Sequence, residues 1–237
     1  MTARQNESQI PNPESLIPSP IHLIVFDLDG TLVDSRRDIT DAANALLESC
    51  GAPALSEDRI GAMVGDGAAT LVARAFEASG IERPDDALER YLSLYGERLL
   101  AHTKPYAGMV ETLEVLGGRA RLAVLTNKPI RATLEILDGL GLARFFDRRA
   151  VLGGDGPFAR KPDPTALQHL QKQAGVEPGA SVLVGDSAID CRTARAADTP
   201  LCIARYGFGF PTLAAEVLSA RDRIVDSPRE LLELVGK

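Results

Sequence analysis

Short apolar runs recur along the chain and give the first indication of its fold. The clearest runs are 22–26 (HLIVF), 122–125 (LAVL), 182–184 (VLV) and Leu201–Ala204 (LCIA), with a weaker candidate at 149–152. They are partly β-branched and do not alternate with polar positions, which is typical of strands that are covered on both faces. The pattern therefore predicts buried strands of a parallel sheet.

Helical patterns lie between these runs. Apolar residues recur at helical spacing through 130–140. Further along the chain, Asp163 is a candidate N-cap with Pro164 at the first helical position, and Gly175 marks the end of that helix. Strands that alternate with helices predict an α/β fold with a doubly wound parallel sheet.

One stretch, 36–104, interrupts this alternation because it shows helical patterns and no strand. It contains four amphipathic segments, and Ser56 is a candidate N-cap for the second of them. The fourth segment is marked by Leu88, Tyr91, Leu92, Tyr95 and Leu99. We therefore predict a small helical domain at 36–104, inserted into a core formed by 21–35 and 105–237. The first 20 residues are polar and proline-rich, and they are predicted to be a flexible N-terminal tail.

Composition narrows the class of protein without indicating an activity. Of 237 residues, 45% are apolar and 25% are charged, which is ordinary for a globular protein and excludes disorder of the whole chain. No apolar run reaches the roughly 20 residues of a membrane helix. The net charge of −7 argues against a nonspecific nucleic-acid binder. Cys50, Cys191 and Cys202 are widely spaced, which predicts buried free thiols in a reducing compartment. Because no basic and apolar leader is visible at the N-terminus, we expect a cytoplasmic protein with no membrane partner.

Polar residues capable of chemistry follow the predicted strands, where ligands bind in parallel α/β sheets. They are Asp27 and Asp29 after the first run, Thr126 and Asn127 after the second, Asp186 and Asp190 after the third, and Lys161 before a predicted helix. If the strands are neighbours, several carboxylates meet one lysine, and their mutual repulsion calls for a divalent cation. Ligands that are all oxygen favour Mg²⁺ over Zn²⁺. Such a site suits phosphoryl transfer, because a cation and a lysine together hold a phosphate group.

Two of these carboxylates are placed for complementary roles. One aspartate can attack phosphorus and form an aspartyl-phosphate, while a second, protonated carboxyl can protonate the leaving alkoxide and then activate water. Asp27 and Asp29 are the candidates, and their spacing does not decide which residue takes which role.

Each of these residues also has a purely structural interpretation. The segment 27–31 could be a capped turn, Lys161 a surface lysine, and Asp190 a helix cap three residues after Ser187. Their joint placement after successive strands favours a catalytic site. The glycines of 65–67 follow no strand, so we predict a loop there and not a nucleotide site. The cationic candidates for a substrate carboxylate are Arg36, Arg74, Lys128 and Arg205.

The order and spacing of these segments resemble the four motifs of the haloacid dehalogenase superfamily. The matching segments are Asp27-Leu-Asp-Gly-Thr, Leu-Thr126-Asn, Lys161-Pro and Gly-Asp186-Ser-x-x-Asp190. The resemblance extends over about 21–226. It implies a Rossmann-like core, covered by a helical cap at 36–104.

The resemblance also implies a role for each site residue. Asp27 would be the nucleophile and Asp29 the general acid/base. The phosphate-binding residues would be Thr126, Asn127 and Lys161. Mg²⁺ would be held by Asp27, by the backbone carbonyl of Asp29 and by Asp186, with Asp190 supporting the metal site.

Finer features bear on the substrate. The dehalogenases proper lack the second aspartate, so its presence at position 29 implies phosphate monoester chemistry. Segments such as 126–129 (TNKP), 161–164 (KPDP) and 206–208 (YGF) resemble the phosphoglycolate phosphatases, although 106–108 (YAG) departs from their usual Tyr-Pro-Gly. We therefore expect a Mg²⁺-dependent phosphatase for a small phosphorylated metabolite, with 2-phosphoglycolate as first choice and no nucleic-acid partner. A sugar-phosphate phosphatase or phosphomutase, or a non-catalytic phosphate-binding protein, are the alternatives. The oligomeric state stays open.

Overall fold

The computed structural model describes residues 20–236, so the predicted tail lies outside the described residues except for Pro20. The strands are β1 (Leu23–Phe26), β2 (Val33–Asp34), β3 (Lys104–Pro105), β4 (Arg121–Leu125), β5 (Val151–Leu152), β6 (Ser181–Gly185), β7 (Leu201–Ala204) and β8 (Arg223–Val225). Six of them form one sheet in the order β5-β4-β1-β6-β7-β8, and each neighbouring pair is parallel. The first strand of the chain is therefore central, between β4 and β6.

Helices cover both faces of this sheet. They are α1 (Arg36–Ser49), α2 (Glu57–Gly61), α3 (Ala68–Ser79), α4 (Ala87–Gly96), α5 (Met109–Gly117), α6 (Ile130–Gly139), α7 (Thr165–Ala174) and α8 (Ala188–Ala196), followed by a 3₁₀ segment at Pro228–Val235. In β1, Ile24 and Phe26 join the apolar cluster that includes α5 and α6, whereas Leu23 and Val25 join the cluster that includes α7 and α8. Alternate strand residues thus enter opposite clusters, which confirms the predicted doubly wound α/β fold.

The apolar runs predicted the principal strands correctly, and the shortest strands were missed. Only 151–152 of the weak candidate 149–152 is extended, because Arg148–Ala150 forms a 3₁₀ turn. The Asp147 side chain starts that turn by accepting a hydrogen bond from the Arg149 backbone N–H at 2.9 Å. Strands of two or three residues, such as β2, β3 and β8, are too short to show a periodic pattern.

The helical insert lies between β2 and β3, which pair antiparallel at its entry and exit. Lys104, the last residue of the predicted insert, belongs to β3, so the expectation of no strand in 36–104 is wrong at that residue. Ser56 caps α2 as predicted, since its hydroxyl accepts a hydrogen bond from the Arg59 backbone N–H at 3.3 Å. Buried residues of α1, α3 and α4 belong to the same apolar cluster as Ile24 of the sheet. The insert therefore packs over one face of the core, and 36–104 stays the predicted extent of the cap domain.

Two further details of the sequence prediction are wrong. Leu88 and Leu92 are 37% and 39% exposed, because the buried stripe of α4 follows the i, i+4 row that contains Tyr91 and Tyr95. Helix α7 begins one residue later than expected, at Thr165, with Pro164 as its N-cap residue. Asp163 still helps the helix to start, since it accepts hydrogen bonds from the Thr165 backbone and hydroxyl at 2.9 and 2.5 Å.

Buried free thiols and the lack of a membrane helix were also predicted from the sequence. Cys191 and Cys202 are buried as predicted, but Cys50 is half-buried, and all three are free thiols. Across 20–236 the helices are too short or too polar to cross a bilayer.

Candidate active site

Three carboxylates gather where β1 and β6 end. Asp27 directly follows β1, Asp186 directly follows β6, and Asp190 lies in the first turn of α8. Each side chain offers an oxygen within 4.8 Å of the other two. The exposed fractions are 6%, 2% and 0% in that order, so the group is buried. Because β1 and β6 are parallel neighbours, their carboxyl ends bring these predicted residues together.

Lys161 lies against this acidic cluster, in the loop before α7. Its Nζ is 2.9 Å from Asp27 Oδ1 and 2.7 Å from Asp190 Oδ1, and its side chain is only 2% exposed. The alternative of a surface lysine is therefore excluded. Burial opposes its charge, but the carboxylates of Asp190 and Asp27 outweigh burial and raise the pKa of Lys161 above its ordinary value. The lysine thus brings a permanent positive charge to the cluster.

Burial and mutual repulsion raise the pKa values of two aspartates in the cluster, Asp27 and Asp186. Burial raises the pKa of Asp27 to about 6, with Lys161 acting against the shift and Asp190 adding to it. The pKa of Asp186 is well above its usual range, first because of burial and then because of Asp190 and Asp27. A divalent cation would relieve this repulsion, and a donor set made only of carboxylate oxygens suits Mg²⁺. The residues present therefore fit a magnesium ion.

The chain around Asp186 has no room for side chains. Gly30 has a φ of +82°, and a Cβ at that position would overlap the Asp186 carboxylate. From the other side, the Gly209 backbone N–H donates to Asp186 Oδ2 at 2.7 Å. Position 30 therefore requires glycine for two reasons: its backbone is left-handed, and the Asp186 carboxylate approaches too closely to leave room for a Cβ.

Asp29 lies beside the acidic cluster and is held by two side chains. Ser35, the residue before α1, donates from Oγ to Asp29 Oδ1 at 2.5 Å. Lys128 donates from Nζ to Oδ1 and Oδ2 at 3.0 and 2.9 Å. The side chains of Lys128 and Asp29 are 6% and 11% exposed, so this ion pair is nearly buried. The same Nζ lies 4.5 Å from the centroid of the Tyr95 ring.

Thr126 and Asn127 follow β4 and line the same cavity as Asp27. Thr126 Oγ1 accepts a hydrogen bond from the Lys128 backbone N–H at 3.2 Å. The side-chain amide of Asn127 donates to the carbonyl oxygens of Gly65 and Lys161, both at 2.9 Å. Asn127 therefore joins the insert to the core, because Gly65 lies in the loop between α2 and α3.

Asp190 has two contacts of different kinds. Its Oδ2 accepts hydrogen bonds from the backbone N–H and the hydroxyl of Ser187, at 3.1 and 2.6 Å, and so caps α8. Its Oδ1 accepts the hydrogen bond from Lys161. The capping interpretation is confirmed, and the same side chain fixes the lysine that faces Asp27.

A cavity of about 620 Å³ lies over the acidic cluster. The core contributes Asp27, Asp29, Asp186 and Thr126 to it, and the insert contributes mainly apolar residues such as Leu71, Tyr91, Leu92 and Tyr95. The insert therefore covers the polar residues that the sequence singled out.

The four cations considered for a substrate carboxylate occupy different places. Lys128 lines the cavity, whereas the other three are ion-paired outside it. Their partners are Glu57 and Asp58 for Arg36, Asp66 for Arg74, and Asp226 for Arg205.

The sequence profile of the haloacid dehalogenase-like hydrolases matches residues 24–204, which include every aspartate and lysine of the site described above. The chain belongs to this family. Among its relatives, a phosphoglycolate phosphatase of Rhodospirillum rubrum is 42% identical over 202 residues, covering 81% of this chain and 83% of that protein. Phosphoglycolate phosphatase 1 of Pseudomonas aeruginosa is 38% identical over 217 residues, covering 89% of this chain and 78% of the relative.

A solved structure shares the whole arrangement of this haloacid dehalogenase-like hydrolase. It is described as a predicted phosphoglycolate phosphatase from Haemophilus somnus and superposes with a TM-score of 0.83 at 31% identity. The superposition covers 90% of this chain and 97% of the other. Core and helical insert are thus both part of a fold found in the family.

Sequence reasoning missed three contacts of this hydrolase. The Ser35 and Lys128 contacts with Asp29 join residues that are 6 and 99 positions apart. The Gly209 contact with Asp186 comes from a loop after β7 that carries no charged group of its own in 207–209. Serine before a predicted helix would suggest a cap, but Ser35 makes no side-chain cap hydrogen bond to α1, so that signal does not point to its contact with Asp29.

Proposed function

We propose that this haloacid dehalogenase-like hydrolase is a Mg²⁺-dependent phosphatase that converts 2-phosphoglycolate and water into glycolate and phosphate. The observation that carries the proposal is the contact of the buried Lys161 with Asp27, which lines a covered cavity together with a second aspartate, Asp29. The names of the relatives in Rhodospirillum rubrum and Pseudomonas aeruginosa support the choice of substrate.

The reaction has two halves that use the same two carboxyl groups. Asp27 attacks phosphorus, the bond from phosphorus to the glycolate oxygen breaks, and the Asp29 carboxyl gives its proton to that oxygen. Asp27 then carries the phosphoryl group as an aspartyl-phosphate. In the second half, Asp29 takes a proton from water, the water oxygen attacks phosphorus, and the bond to Asp27 breaks. Both residues return to their starting states.

The phosphate group would be held by residues from two further loops. Lys161 supplies a buried positive charge 2.9 Å from the nucleophile, where charge develops on the phosphoryl oxygens. Thr126 offers its hydroxyl from the end of β4. The side-chain amide of Asn127 already binds two carbonyl oxygens, so we expect its backbone N–H to contact phosphate.

Mg²⁺ would be held by Asp27, by Asp186 and by the backbone carbonyl of Asp29, while Asp190 supports the site by fixing Lys161. The bound ion would supply positive charge that offsets the carboxylates and the substrate phosphate. The insert at 36–104 would act as a cap domain that excludes bulk water during the reaction.

A substrate panel tests this proposal. Phosphate release is measured from 2-phosphoglycolate, sugar phosphates and phosphoserine, with Mg²⁺ and with EDTA. We expect turnover that prefers 2-phosphoglycolate, is lost in EDTA and is abolished in Asp27→Asn. The matched control is Asp138→Asn on the exposed side of α6, which should keep full activity. Preferred turnover of a sugar phosphate, or an isomerised sugar phosphate as the main product, would favour the related alternatives. Binding without turnover would overturn the enzyme assignment.

A further inference from the structure

Lys128 is a buried cation that lines the cavity and has no role in the proposed reaction. Lys161 is committed to the acidic cluster, whereas the contacts of Lys128 are with Asp29 and the Tyr95 ring. Arg131 also lines the cavity, but its side chain is 89% exposed and pairs with Glu135 at 2.8 Å. A buried cation next to the residue that would protonate the leaving group is therefore available for a second contact.

We propose that Lys128 selects the substrate by binding a carboxylate group that a single methylene separates from the ester oxygen. This inference rests on the proposed function and specifies its substrate class. The enzyme would accept monoesters with an anionic group close to the leaving oxygen and discriminate against neutral or longer ones.

The distance from Lys128 to the reacting atoms supports this assignment. A proton donor lies roughly 2.7 Å from the oxygen that it protonates. Nζ of Lys128 is 2.9 Å from Asp29 Oδ2, so it lies within roughly 5–6 Å of the leaving oxygen once Asp29 contacts that atom. In 2-phosphoglycolate a single methylene separates this oxygen from the carboxylate carbon. The carboxylate can therefore reach Nζ, and each added methylene moves it away.

The surroundings of Lys128 suit an anionic partner. The contacts with Asp29 use at most two of its three N–H groups. The face of Tyr95 stabilises the ammonium group, and Tyr91 stacks on Tyr95 with ring centroids 5.9 Å apart. Because the lysine is nearly buried, solvent would screen its attraction for a carboxylate only weakly.

The test compares three matched substrates: 2-phosphoglycolate, its neutral amide 2-phosphooxyacetamide, and the longer 3-phosphooxypropanoate. For the wild type we expect kcat/KM to favour 2-phosphoglycolate over the amide by about ten- to hundredfold, the value of one charged hydrogen bond. Lys128→Met should bring this ratio close to one, chiefly through a higher KM for 2-phosphoglycolate. Lys128→Arg should restore part of the preference, and Arg131→Met should leave the ratio unchanged.

The ratio separates recognition from a merely structural role. If Lys128 only holds Asp29 in place, Lys128→Met lowers kcat for both substrates and leaves their ratio as in the wild type, which would overturn the inference. A wild type that hydrolyses the acid and the amide equally would also overturn it, while the phosphatase assignment would stand. A wild type that releases no phosphate from any substrate would refute the proposed function itself. Should Lys128→Met fail to fold, a loss of the preference in Arg131→Met would still refute the assignment, because Arg131 would then be the residue that binds the carboxylate.

Discussion

Gly30→Ala is expected to damage the acidic cluster, and Gly51→Ala is its matched control. The two glycines have nearly the same backbone, with φ values of +82° and +79°. A Cβ at Gly51 meets no atom within 4 Å, whereas a Cβ at Gly30 would overlap the Asp186 carboxylate. Both substitutions cost about 1–2 kcal/mol for the left-handed conformation. Only Gly30→Ala also displaces Asp186, whose contact with the Gly209 N–H is a charged hydrogen bond worth about 1.5–3 kcal/mol.

These costs translate into separate shifts of the melting temperature. For a chain of this size, 1 kcal/mol corresponds to roughly 2–4 °C. Thermal unfolding followed by circular dichroism should therefore show a loss of roughly 2–8 °C for Gly51→Ala and roughly 5–20 °C for Gly30→Ala. Gly30→Ala should also need more Mg²⁺ for half-maximal phosphate release, which Gly51→Ala should not. Equal melting temperatures and equal Mg²⁺ requirements in the two variants would refute the crowding argument.

Three other predictions concern the same residues. In the first turnover, Asp29→Asn should slow glycolate release from 2-phosphoglycolate at least about 100-fold but nitrophenolate release from p-nitrophenyl phosphate much less, because nitrophenolate leaves without a proton; an equal loss in that first turnover would contradict the acid role. Asp190→Ala should reduce the free energy of unfolding by about 1.5–3 kcal/mol, since it removes a buried charged hydrogen bond to Lys161, which keeps Asp27 as a partner, and Ser187→Ala by only about 1 kcal/mol; urea titration compares the two. The pKa of Asp27 is raised to about 6 in the folded protein. The stabilisation that results is complete below about pH 4 and is lost as the pH rises through about 6, so in EDTA the protein should become less stable between these values. Mg²⁺ should reverse this trend in a melting-temperature series, because the ion binds the deprotonated carboxylates; a flat series with and without Mg²⁺ would contradict it.

The sequence was most informative where local pattern and topology agree. The continuous apolar run at 23–26 is typical of a covered strand, and a parallel sheet places the ends of such strands at one edge. Asp27 and Asp186 were therefore expected to lie close together, and the structure puts their carboxylates in one cluster. The Ser187 and Asp190 spacing likewise indicated a cap that the structure contains.

The remaining features depend on contacts between distant segments, which a local pattern does not encode. Asn127 binds Gly65 across 62 positions, and Lys128 binds Asp29 across 99. The first contact exists because the insert folds back over the core, and the second because β1 and β4 are neighbouring strands of the sheet. The exposed Leu92 is a similar case, since helical spacing alone could not say which of two adjacent apolar rows in α4 faces the core.

Trapping the phosphoryl group on the chain is the most direct test of the proposed reaction. The wild type is mixed with 2-phosphoglycolate and Mg²⁺, quenched with acid within the first turnover, digested and examined by mass spectrometry. We expect a phosphoryl group on the peptide that contains Asp27, decaying as phosphate appears, and accumulating further in Asp29→Asn when p-nitrophenyl phosphate, whose leaving group needs no proton, is the substrate. Phosphate release without any adduct on that peptide, or an adduct on a different residue, would contradict the account.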